Sequence, residues 1–430
     1  MKDINVLVFP CGSEIGLELF RSLKDIRFIH LYGASSVDDH GMWLYKNYVG
    51  GVPYVTDPSC VDKLNEIIDQ YEIDCIFPAM DSVILALSEQ REKLHAKLLT
   101  SPADAVKVCR SKSETYKRLA DCPFIPRTYQ YPSEVDFFPV LVKPAVGQGS
   151  QGVIKIMCKN DLKQLLSART EEQVICEFLP GEEYTVDCFT DRHGSILYSK
   201  ARLRRRIKSG ISVNSEVMAE QDSWRTIAEQ ISTHLQFRGA WFFQMKRDKN
   251  GELKLLECAT RIAGTMCLQR ALGINLPLLT IMDAMDMDVS VLTPIESACV
   301  DRALCNVFRL NLEYKHLYID FDDTLTVHGT VNKEALWLLY QCVEQKIPIT
   351  LLTRHQGNIH LDMQKMHIPE SLFDMIIEVP ENKMKSDYIN NSEPALFIDD
   401  SYRERLDVWQ QRHIPVLGVE SIEALLDYHQ

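Results

Sequence analysis

The stretch 139-PVLVKPAVGQGSQGVIKI-156 has the pattern of a β-strand, a glycine-rich loop and a second β-strand. A glycine-rich loop between antiparallel strands can fold over a triphosphate, because glycine permits positive φ angles and close approach of the backbone. Lys143, on the incoming strand, can reach phosphate oxygens as a point charge. The loop 147-GQGSQG-152 matches neither GxxxxGK[ST] nor GxGxxG before a helix, so a P-loop and a Rossmann cofactor site both fit poorly. The loop alone is equally compatible with a flexible hairpin.

The composition is that of an ordinary soluble protein. The chain has 430 residues, enough for two or three domains, with 46% hydrophobic and 25% charged residues. Its formal charge of −13 argues against nucleic-acid partners and against attraction to anionic membranes. No apolar run approaches the ~20 residues of a membrane helix, and the start, MKDINVLVFP, lacks a signal-peptide pattern. The 13 cysteines include no CxxC pair, which favours reduced thiols. We therefore expect a cytoplasmic protein.

The first hundred residues alternate short apolar runs with helical patterns. NVLVFP (5–10), FIHLYG (28–33) and DCIFPAM (74–80) are predicted strands, separated by predicted helices at 14–23 and 61–73. This alternation predicts a parallel sheet of βαβ units. Ligands at such sheets bind beyond the carboxyl ends of the strands, here near residues 11–13 and 79–81. The Gly12–Gly16 spacing favours a tight strand-to-helix turn over a dinucleotide fingerprint.

Further oxygen donors follow the glycine-rich loop. Residues 177–179 end a strand, where free backbone groups can hydrogen-bond an adenine edge, and Glu183 comes shortly after. The segment 240–261 predicts a hairpin with its turn at 248–251, and Gln244 and Glu257 face each other across it. Oxygen ligands on paired strands suit a Mg²⁺ ion that bridges phosphates.

Residues 1–310 resemble the ATP-grasp superfamily, in the branch of carbamoyl phosphate synthetase and biotin carboxylase. The matching pieces are SKSETYKRLA, which contains Lys112, and VKPAVGQGSQGV, EFLPGEEYTVD and ECATRIAGTM. The resemblance implies that Lys112 and Lys143 contact the phosphates of ATP, that Glu183 meets the ribose, and that Gln244 and Glu257 hold Mg²⁺. It also implies that a loop covers the phosphates, formed by Gly147, Gln148, Gly149, Ser150 and Gly152. The segment that meets the adenine would be Glu177, Phe178 and Leu179.

The chain departs from the family pattern at one position. The family usually has Glu-x-Asn-Pro-Arg where this chain has 257-ECATR-261, so Ala259 offers no oxygen to a second magnesium ion. Water could substitute there, or the site could be weakened. Arg261 remains, and it could stabilise charge on the transferring phosphoryl group or on an acyl phosphate.

The basic run 202-RLRRR-206 has two interpretations. It could be a solvated strand face, which is where most charge runs lie. Alternation along a strand, however, places Arg202, Arg204 and Arg206 on one face, where they could clamp a carboxylate or phosphate. We favour the substrate role, with Arg204 and Arg206 ahead of Arg202.

A second acidic motif opens the C-terminal part, in 317-LYIDFDDTLTVHG-329. The alternative to a site is an acidic turn or a helix cap. The predicted strand 349–354 ends in Thr353, however, Lys383 and Lys385 follow, and the strand in 395-ALFIDDS-401 ends in two aspartates. In a parallel sheet these strand ends converge, and carboxylates so concentrated require a cation such as Mg²⁺.

Residues 314–430 resemble the haloacid dehalogenase (HAD) superfamily of phosphatases, because all four of its motifs are present, including DxDxT. The resemblance implies that Asp320 attacks phosphorus and that Asp322 protonates the leaving oxygen and later activates water. It implies that Thr353 binds phosphoryl oxygens and that Lys385, ahead of Lys383, neutralises them, while Asp323 is a turn residue. The candidate metal ligands of this part are Asp320, Asp322, Asp399 and Asp400. No large cap domain fits between Asp322 and Thr353, so either the substrate is large or the ATP-grasp part serves as a lid.

We therefore expect an α/β protein with three domains. These are a parallel-sheet domain that precedes the ATP-grasp domain (1–111), an α+β ATP-grasp domain (112–311) and a Rossmann-like HAD domain with a minimal cap (312–430). The expected activities are an ATP- and Mg²⁺-dependent carboxylate–amine ligase and a Mg²⁺-dependent phosphatase. Expected partners are a small carboxylate, an amine and a phosphorylated metabolite, with no nucleic acid and no membrane, and a homodimer is possible. The alternatives are a small-molecule kinase or carbamoyl-phosphate-type enzyme, and an ATP-sensing module that regulates the phosphatase.

Overall fold

The computed structural model describes residues 2–147, 149, 151–218, 222–293, 295–308, 310–390 and 392–428. The chain divides into two compact units, the first ending at Leu304 and the second spanning Cys305–Tyr428. The predicted boundary at 311/312 lies a few residues after this division. The predicted boundary at 111/112 falls inside the first unit. Within the described ranges no helix combines the length and apolarity that crossing a bilayer requires.

The first unit begins with a parallel sheet, as the alternating pattern predicts. Its strands lie in the order β3-β2-β1-β4-β5, and every pair is parallel. The connections are helical, so the carboxyl ends of β1 and β4 open at the same edge. The elements are β1 (Ile4–Phe9), α1 (Glu14–Leu23), β2 (Ile29–Ala34), β3 (Asn47–Val49), α2 (Cys60–Tyr71), β4 (Cys75–Pro78), α3 (Asp81–Glu89), β5 (Lys97–Leu98) and α4 (Ala103–Arg110).

Two antiparallel sheets complete the first unit. A four-stranded sheet has the order β6-β9-β7-β8, and a six-stranded sheet has the order β14-β13-β10-β11-β12-β15. Trp241 is fully buried between the sheets and helices of this part and stacks on Phe237 with 3.9 Å between ring centroids. The elements are α5 (Lys112–Arg118), β6 (Thr128–Tyr129), β7 (Val140–Pro144), β8 (Ile154–Ile156), α6 (Lys159–Ser167), β9 (Gln173–Glu177), β10 (Glu183–Thr190), β11 (Ile196–Lys208), β12 (Ile211–Val217), α7 (Asp222–His234), β13 (Gly239–Arg247), β14 (Leu253–Ala259), α8 (Cys267–Ala271), α9 (Leu276–Ala284) and β15 (Cys299–Asp301).

The predicted hairpin at 240–261 forms. The turn at 248–251 joins β13 to β14 as predicted, because the Asp248 carboxylate accepts the backbone N–H groups of Asn250 (2.8 Å) and Glu252 (2.9 Å). The turn at Pro180–Gly181 joins β9 to β10, which do not pair with each other. β9 lies in the four-stranded sheet and β10 in the six-stranded sheet, so this turn carries the chain from one sheet to the other.

The second unit contains a five-stranded parallel sheet in the order β20-β19-β16-β21-β22. Its apolar strands β16, β19 and β21 are almost entirely buried, which explains their unbroken runs of hydrophobic residues. Between Asp322 and Thr353 the chain forms only the β17–β18 hairpin and one helix, so the described residues contain no large cap there. The elements are β16 (His316–Ile319), β17 (Thr326–Val327), β18 (Thr330–Val331), α10 (Lys333–Glu344), β19 (Ile349–Thr353), α11 (Ile359–Lys365), β20 (Met375–Glu378), β21 (Ala395–Ile398), α12 (Tyr402–Arg412) and β22 (Val416–Leu417).

Candidate functional site

The first unit contains two neighbouring cavities with a common wall. The larger has a volume of ≈ 780 Å³ and opens beyond the carboxyl ends of β1 and β4, where the sequence places a ligand. The smaller has a volume of ≈ 220 Å³ and lies between the two antiparallel sheets. The residues that line both cavities, and so form the wall, are Lys112, Gly147, Gly149, Gln151, Arg204, Gly210, Gln244 and Glu257.

Two lysines approach the smaller cavity from different elements. Lys143 on β7 is buried, and its ammonium group donates a 2.7 Å hydrogen bond to the hydroxyl of Tyr116 on α5. Lys112, at the start of α5, donates to the Gly147 carbonyl at 3.3 Å and lies 3.8 Å from a carboxylate oxygen of Glu257. Burial lowers the pKa of Lys112, although Glu257 opposes that effect. Both lysines therefore line the smaller cavity with their positive charges.

The segment after β9 forms the far end of the smaller cavity. The Glu177 carboxylate accepts the Arg127 backbone N–H at 2.8 Å, and the Glu177 N–H donates to the Arg127 carbonyl at 2.9 Å. The side chain of Glu177 is thus occupied in holding β9 against the chain before β6. The Phe178 ring lies 4.0 Å from the Lys155 ammonium group, and the Leu179 side chain is buried. Phe178 and Leu179 line the smaller cavity with Glu177, whose carboxylate is already paired.

Glu183 also lines the smaller cavity, but both of its carboxylate oxygens are already paired. One accepts from the guanidinium group of Arg204, and the other lies 3.2 Å from the Lys246 ammonium group. The side chain is largely buried at this point. Glu183 therefore ties β10 to its neighbours β11 and β13, and a ribose hydroxyl would have to share it with two cations.

The glycine-rich loop joins antiparallel strands β7 and β8, as predicted. Gly149 has φ +60° and its carbonyl group packs against Gly210 in the turn between β11 and β12. A Cβ atom on Gly210 would lie 2.2 Å from the Gly149 carbonyl, so only glycine allows this contact. Gly152, at the end of the loop, has φ +72°. Gln148 and Ser150, two of the predicted loop residues, lie outside the described residues.

The predicted magnesium ligands stand opposite each other. Gln244 on β13 is the register partner of Glu257 on β14, as the hairpin pattern predicts. The Gln244 side-chain oxygen accepts from Arg204 at 3.0 Å. Ala259 lines the larger cavity on the same strand as Glu257 and provides no oxygen there. The wall between the cavities thus offers one carboxylate and one amide oxygen.

The larger cavity carries more cations than acids. Arg261 forms a two-pronged ion pair with Asp81, at the start of α3, with one of the two contacts at 2.9 Å. Burial raises the pKa of Asp81, but the Arg261 guanidinium outweighs it and holds that pKa below its usual value. The cations that line the cavity are Arg110, Lys112, Arg202, Arg204, Arg261 and Arg302, and the acids are Glu14, Asp81 and Glu257.

The arginine run does not present three equivalent side chains. Arg202 is fully buried and bound by Asp187 at 2.7 Å, whereas Arg204 lines both cavities and its buried Nε has no hydrogen-bond partner among the described residues. The structure does not bring Arg206 to either cavity. Its guanidinium group instead contacts Asp301 on the edge strand at 2.6 Å. The register of β11 against β12 shifts between Arg204 and Arg206, and this irregularity breaks the alternation on which the prediction rested.

In the second unit the predicted residues converge at the carboxyl ends of β16, β19 and β21. The buried Lys385 ammonium group donates to Asp320 at 2.7 Å and to Asp399 at 2.6 Å. Ligand oxygens of Asp320, Asp399 and Asp400 all lie within 4.8 Å of one another. Burial, and then the charge of Asp320, raises the pKa of Asp399 to about 7. Burial likewise raises the pKa of Asp320, although Lys385 opposes it.

The hydroxyl group of Thr353 is buried beside this cluster. Its oxygen lies near the Asp320 carboxylate but has no hydrogen bond of acceptable geometry to a described residue. A buried donor without a partner is costly, so this hydroxyl is available to an oxygen of a bound group. Lys383 is exposed and does not reach the cluster, whereas Asp323 has φ +52°, a turn conformation. Lys385, and not Lys383, therefore contacts the carboxylate cluster, while the roles of both lysines and of Asp323 stay predictions.

Asp322 has a partner that the sequence analysis missed. The side chain of Asp322 is half exposed and lies 3.0 Å from Nδ1 of His355, whose Nε2 lies 2.9 Å from Asp362. Burial lowers the pKa of His355, but its hydrogen bonds to Asp362 and Asp322 outweigh this and raise it. The signal in the sequence was the position of His355, two residues after Thr353 at the end of β19. Asp322 lies outside the Asp320–Asp399–Asp400 cluster, so its side chain is not grouped with the metal candidates.

Comparison with known proteins identifies the fold of the first unit. Residues 169–303 match the family described as ATP-grasp in the biosynthetic pathway with Ter operon. N5-carboxyaminoimidazole synthetase from Staphylococcus aureus superposes with a TM-score of 0.58 at 14% identity, over 71% of this chain and 83% of that chain. The first unit contains an ATP-grasp domain.

Two further solved structures share this ATP-grasp fold. The biotin carboxylase domain of 2-oxoglutarate carboxylase from Hydrogenobacter thermophilus gives a TM-score of 0.55 at 12% identity, over 67% of this chain and 71% of that chain. L-amino acid ligase from Bacillus licheniformis gives 0.54 at 17% identity, over 66% of this chain and 75% of that chain. No curated protein sequence matches this one. The predicted ATP-grasp domain is thus confirmed, and the family match ends before the second unit.

Sequence reasoning also missed residues of the larger ATP-grasp cavity. Glu14 at the start of α1 forms an ion pair with Arg302, and Arg110 ends α4 with no ion pair among the described residues. Gly264 lies so close to Glu14 that a Cβ atom there would fall 2.1 Å from its carboxylate. Glu14 is the first residue of the predicted helix 14–23 and follows the first strand, which was a usable signal, whereas no predicted element adjoins Arg110. Arg302 had none, because it lies in a stretch without periodic pattern.

Proposed function

We propose that the first unit is an ATP-dependent carboxylate–amine ligase that acts through an acyl phosphate. The observation that carries the proposal is the common wall of the two cavities, where Lys112, Arg204, Gln244 and Glu257 stand together. A nucleotide in the smaller cavity would end at this wall, and an acid in the larger cavity would reach it from the other side. Phosphoryl transfer needs this meeting of the two reactants more than any other feature.

The smaller cavity suits ATP in its chemistry. Four cations, which include Lys112 and Lys143, line this cavity against three acids, and the segment 177–179 supplies backbone groups and an aromatic ring. The synthetase from S. aureus was solved with ADP, and the carboxylase domain from H. thermophilus with MgADP and bicarbonate. These structures support ATP as the substrate.

Gln244 and Glu257 are the residues that would hold Mg²⁺. Oxygen donors from two paired strands fit that ion, which binds through few protein groups and keeps several waters. Magnesium, when bound, neutralises charge on the phosphates. Ala259 supplies no further ligand, so water would complete the coordination. Lys112 and Arg204, which contact Glu257 and Gln244, orient these side chains and add positive charge at the same wall.

The acid that is activated would bind in the larger cavity. Five of the six cations that line this cavity are each paired with a carboxylate, whereas Arg110 has no ion pair among the described residues, so an unpaired positive charge favours a substrate with at least one carboxylate. The carboxylate oxygen attacks the terminal phosphorus of ATP, which yields ADP and the acyl phosphate. A nitrogen nucleophile then displaces phosphate and forms an amide. Arg261, held rigidly by Asp81, and the free Nε of Arg204 are placed to stabilise the charge that develops.

Stoichiometry distinguishes this reaction from its alternatives. The purified chain is incubated with ATP, Mg²⁺ and fractions of a metabolite extract, with amines removed by acetylation in a parallel sample. A ligase requires both an acid and an amine for steady release of ADP and phosphate in equal amounts. Release of ADP without phosphate, whether or not amines are present, would indicate a kinase, and tight ATP binding with no ADP would indicate a sensor.

We further propose that the second unit is a Mg²⁺-dependent phosphatase of the HAD type. The supporting observation is the buried Asp320–Lys385–Asp399 group beside the unpartnered hydroxyl of Thr353. Asp320 would attack the phosphorus of a phosphate ester, and Asp322 would protonate the leaving oxygen and then deprotonate the water that hydrolyses the aspartyl-phosphate. Thr353 and Lys385 would bind the phosphoryl oxygens. Asp320, Asp399 and Asp400 fit Mg²⁺, which would neutralise the concentrated negative charge.

A generic aryl phosphate tests the second proposal without knowledge of the natural substrate. Asp320→Asn should abolish hydrolysis, because an amide is a poor nucleophile. Asp323→Asn is the matched control, since this neighbouring aspartate is exposed and lies in the turn. An active Asp320→Asn beside an inactive Asp323→Asn, with both proteins folded by circular dichroism, would exclude the phosphatase mechanism.

A further inference from the structure

A group of metal-ligating side chains lies away from both candidate sites. Asp121 and Cys122 form the turn after α5, and His234 is the last residue of α7. One ligand atom from each of the three lies within 4.8 Å of the other two. None of the three lines either cavity of the first unit. The group is therefore separate from the two cavities of the proposed ligase site.

The hydrogen bonds of the His234 ring leave one nitrogen facing the acid. Nδ1 lies 3.0 Å from the backbone carbonyl oxygen of Gln230. A carbonyl oxygen only accepts, so Nδ1 carries a hydrogen, and Nε2 of the neutral ring presents a lone pair. That lone pair points at the Asp121 carboxylate, 3.0 Å away. Two electron-rich atoms at this distance repel unless a proton or a metal cation lies between them.

Metal-bound histidines have this arrangement, because the ring donates one N–H to a carbonyl or carboxylate and binds the metal through its other nitrogen. The thiol of Cys122 adds a third donor, with Sγ 3.9 Å from the Asp121 carboxylate. Bonds of about 2.0–2.3 Å to a tetrahedral Zn²⁺ ion separate neighbouring ligands by about 3.3–3.7 Å. The observed separations are 3.0 Å, which is below that range, and 3.9 Å, which is above it, so binding would shift these side chains by a few tenths of an ångström.

We propose that Asp121, Cys122 and His234 bind one divalent cation of the zinc class, with water as the fourth ligand. The mixed nitrogen, sulfur and oxygen donors favour Zn²⁺ and exclude a preference for Mg²⁺, which takes oxygen ligands. The ion would join the turn after α5 to the end of α7. Arg118, on α5, already contacts the His234 carbonyl at 3.4 Å, so the ion would strengthen an existing junction. Its effect would be on stability, not on turnover.

Cobalt substitution tests the site in the full-length protein. Metal-free protein is titrated with Co²⁺, and the thiolate-to-cobalt charge-transfer absorption is recorded. In a second sample the zinc content is measured after dialysis against Zn²⁺. The wild-type chain should show one such site. Cys122→Ser should remove the absorption band, and His234→Gln should weaken Co²⁺ binding at least about tenfold, the lower end of the loss seen for groups that support a metal.

Two variants serve as matched controls. His95→Gln removes another surface histidine. His95 pairs with Asp69 at 2.9 Å, but no cysteine joins this pair in a candidate metal group among the described residues. Cys158→Ser removes an exposed cysteine elsewhere. Both should keep the band. If Cys122→Ser does not fold, alkylation of Cys122 replaces that measurement. Zn²⁺ should protect Cys122 from alkylation in the wild type and should not protect it in His234→Gln. No band in the wild type, or a band that survives both ligand substitutions, would overturn the proposal and leave an ordinary histidine–aspartate ion pair.

Discussion

Replacing Asp399 with asparagine should stabilise the second unit at alkaline pH while removing its proposed activity. Asp399 is completely buried, and its carboxylate shares the Lys385 ammonium group with Asp320. Two carboxylates compete for one cation, and burial with this repulsion raises the pKa of Asp399 to about 7. Asparagine resembles the protonated acid in shape and charge, so Asp399→Asn removes the cost of ionising a buried group.

The size and sign of the effect follow from the pKa. In the unfolded chain an aspartate ionises near ~3.9, so a folded pKa of about 7 corresponds to about 4 kcal/mol, at ~1.4 kcal/mol per pH unit. Because the folded pKa is raised, the protonated form contributes this stability fully below pH ~4, and it is lost as pH rises through 7. We therefore expect Asp399→Asn to gain up to about 4 kcal/mol at pH 8 without Mg²⁺, and close to nothing at pH 4.

Hydrogen exchange of peptides from β16 and β21 measures the opening of the second unit alone. The experiment compares wild type and Asp399→Asn in EDTA at pH 5, 6.5 and 8, after correction for the intrinsic exchange rate. Asp400→Asn is the matched control, because that neighbouring side chain is exposed. Mg²⁺ should abolish most of the difference at pH 8, since it neutralises the same carboxylates. A variant that is less stable than wild type by the same amount at each pH would refute the reasoning, because the loss of a structural hydrogen bond has no such pH dependence.

Three further substitutions test individual residues. Lys143→Ala should reduce ATP-dependent turnover by about 10²–10³-fold, the usual effect of losing one group that stabilises transition-state charge. Hydrolysis of an aryl phosphate by the second unit should stay intact, and loss of both activities in a folded protein would contradict two separate sites. Ala259→Asn should lower the Mg²⁺ concentration needed for half-maximal ligase activity, because it adds an oxygen on β14 beside Glu257, and an unchanged magnesium titration would show that residue 259 does not face the metal. Asp322→Asn should slow hydrolysis of a phosphate ester with a poor leaving group by about 10²–10⁴-fold, and a smaller loss on an aryl phosphate with a good leaving group would identify the step as protonation of the leaving oxygen.

The residues that the sequence predicts best lie at the ends of strands. Asp320, Thr353 and Asp399 each follow a short apolar run, and the parallel sheet brings the ends of β16, β19 and β21 to one edge whatever the details of packing. The positions of Gln244 and Glu257 were equally predictable from the sequence, because a tight turn fixes the register of the β13–β14 hairpin. In both cases local pattern and short-range geometry determine where the side chain lies.

Side-chain positions that depend on contacts between distant elements were harder to predict from the sequence. The shift in register that turns Arg206 towards Asp301 arises from pairing with β12, and nothing in RLRRR indicates it. Arg302 reaches the larger cavity only because the chain returns from β15 to α1. The pairing of Glu183 with both Arg204 and Lys246 joins three strands that are far apart in sequence. Each of these contacts is a property of the assembled sheet, so a linear pattern does not contain it.

The most direct test of the proposed ligase activity is a mass balance on the compounds consumed and formed. The full-length protein is incubated with ATP, Mg²⁺ and a metabolite extract, and consumed and formed compounds are followed by mass spectrometry, with Lys143→Ala as the inactive control. A ligase predicts a new compound whose mass equals that of two consumed metabolites less one water, formed with one ADP and one phosphate and absent from the Lys143→Ala reaction. A new compound that is heavier than one consumed metabolite by a phosphoryl group, with no phosphate released, would contradict it.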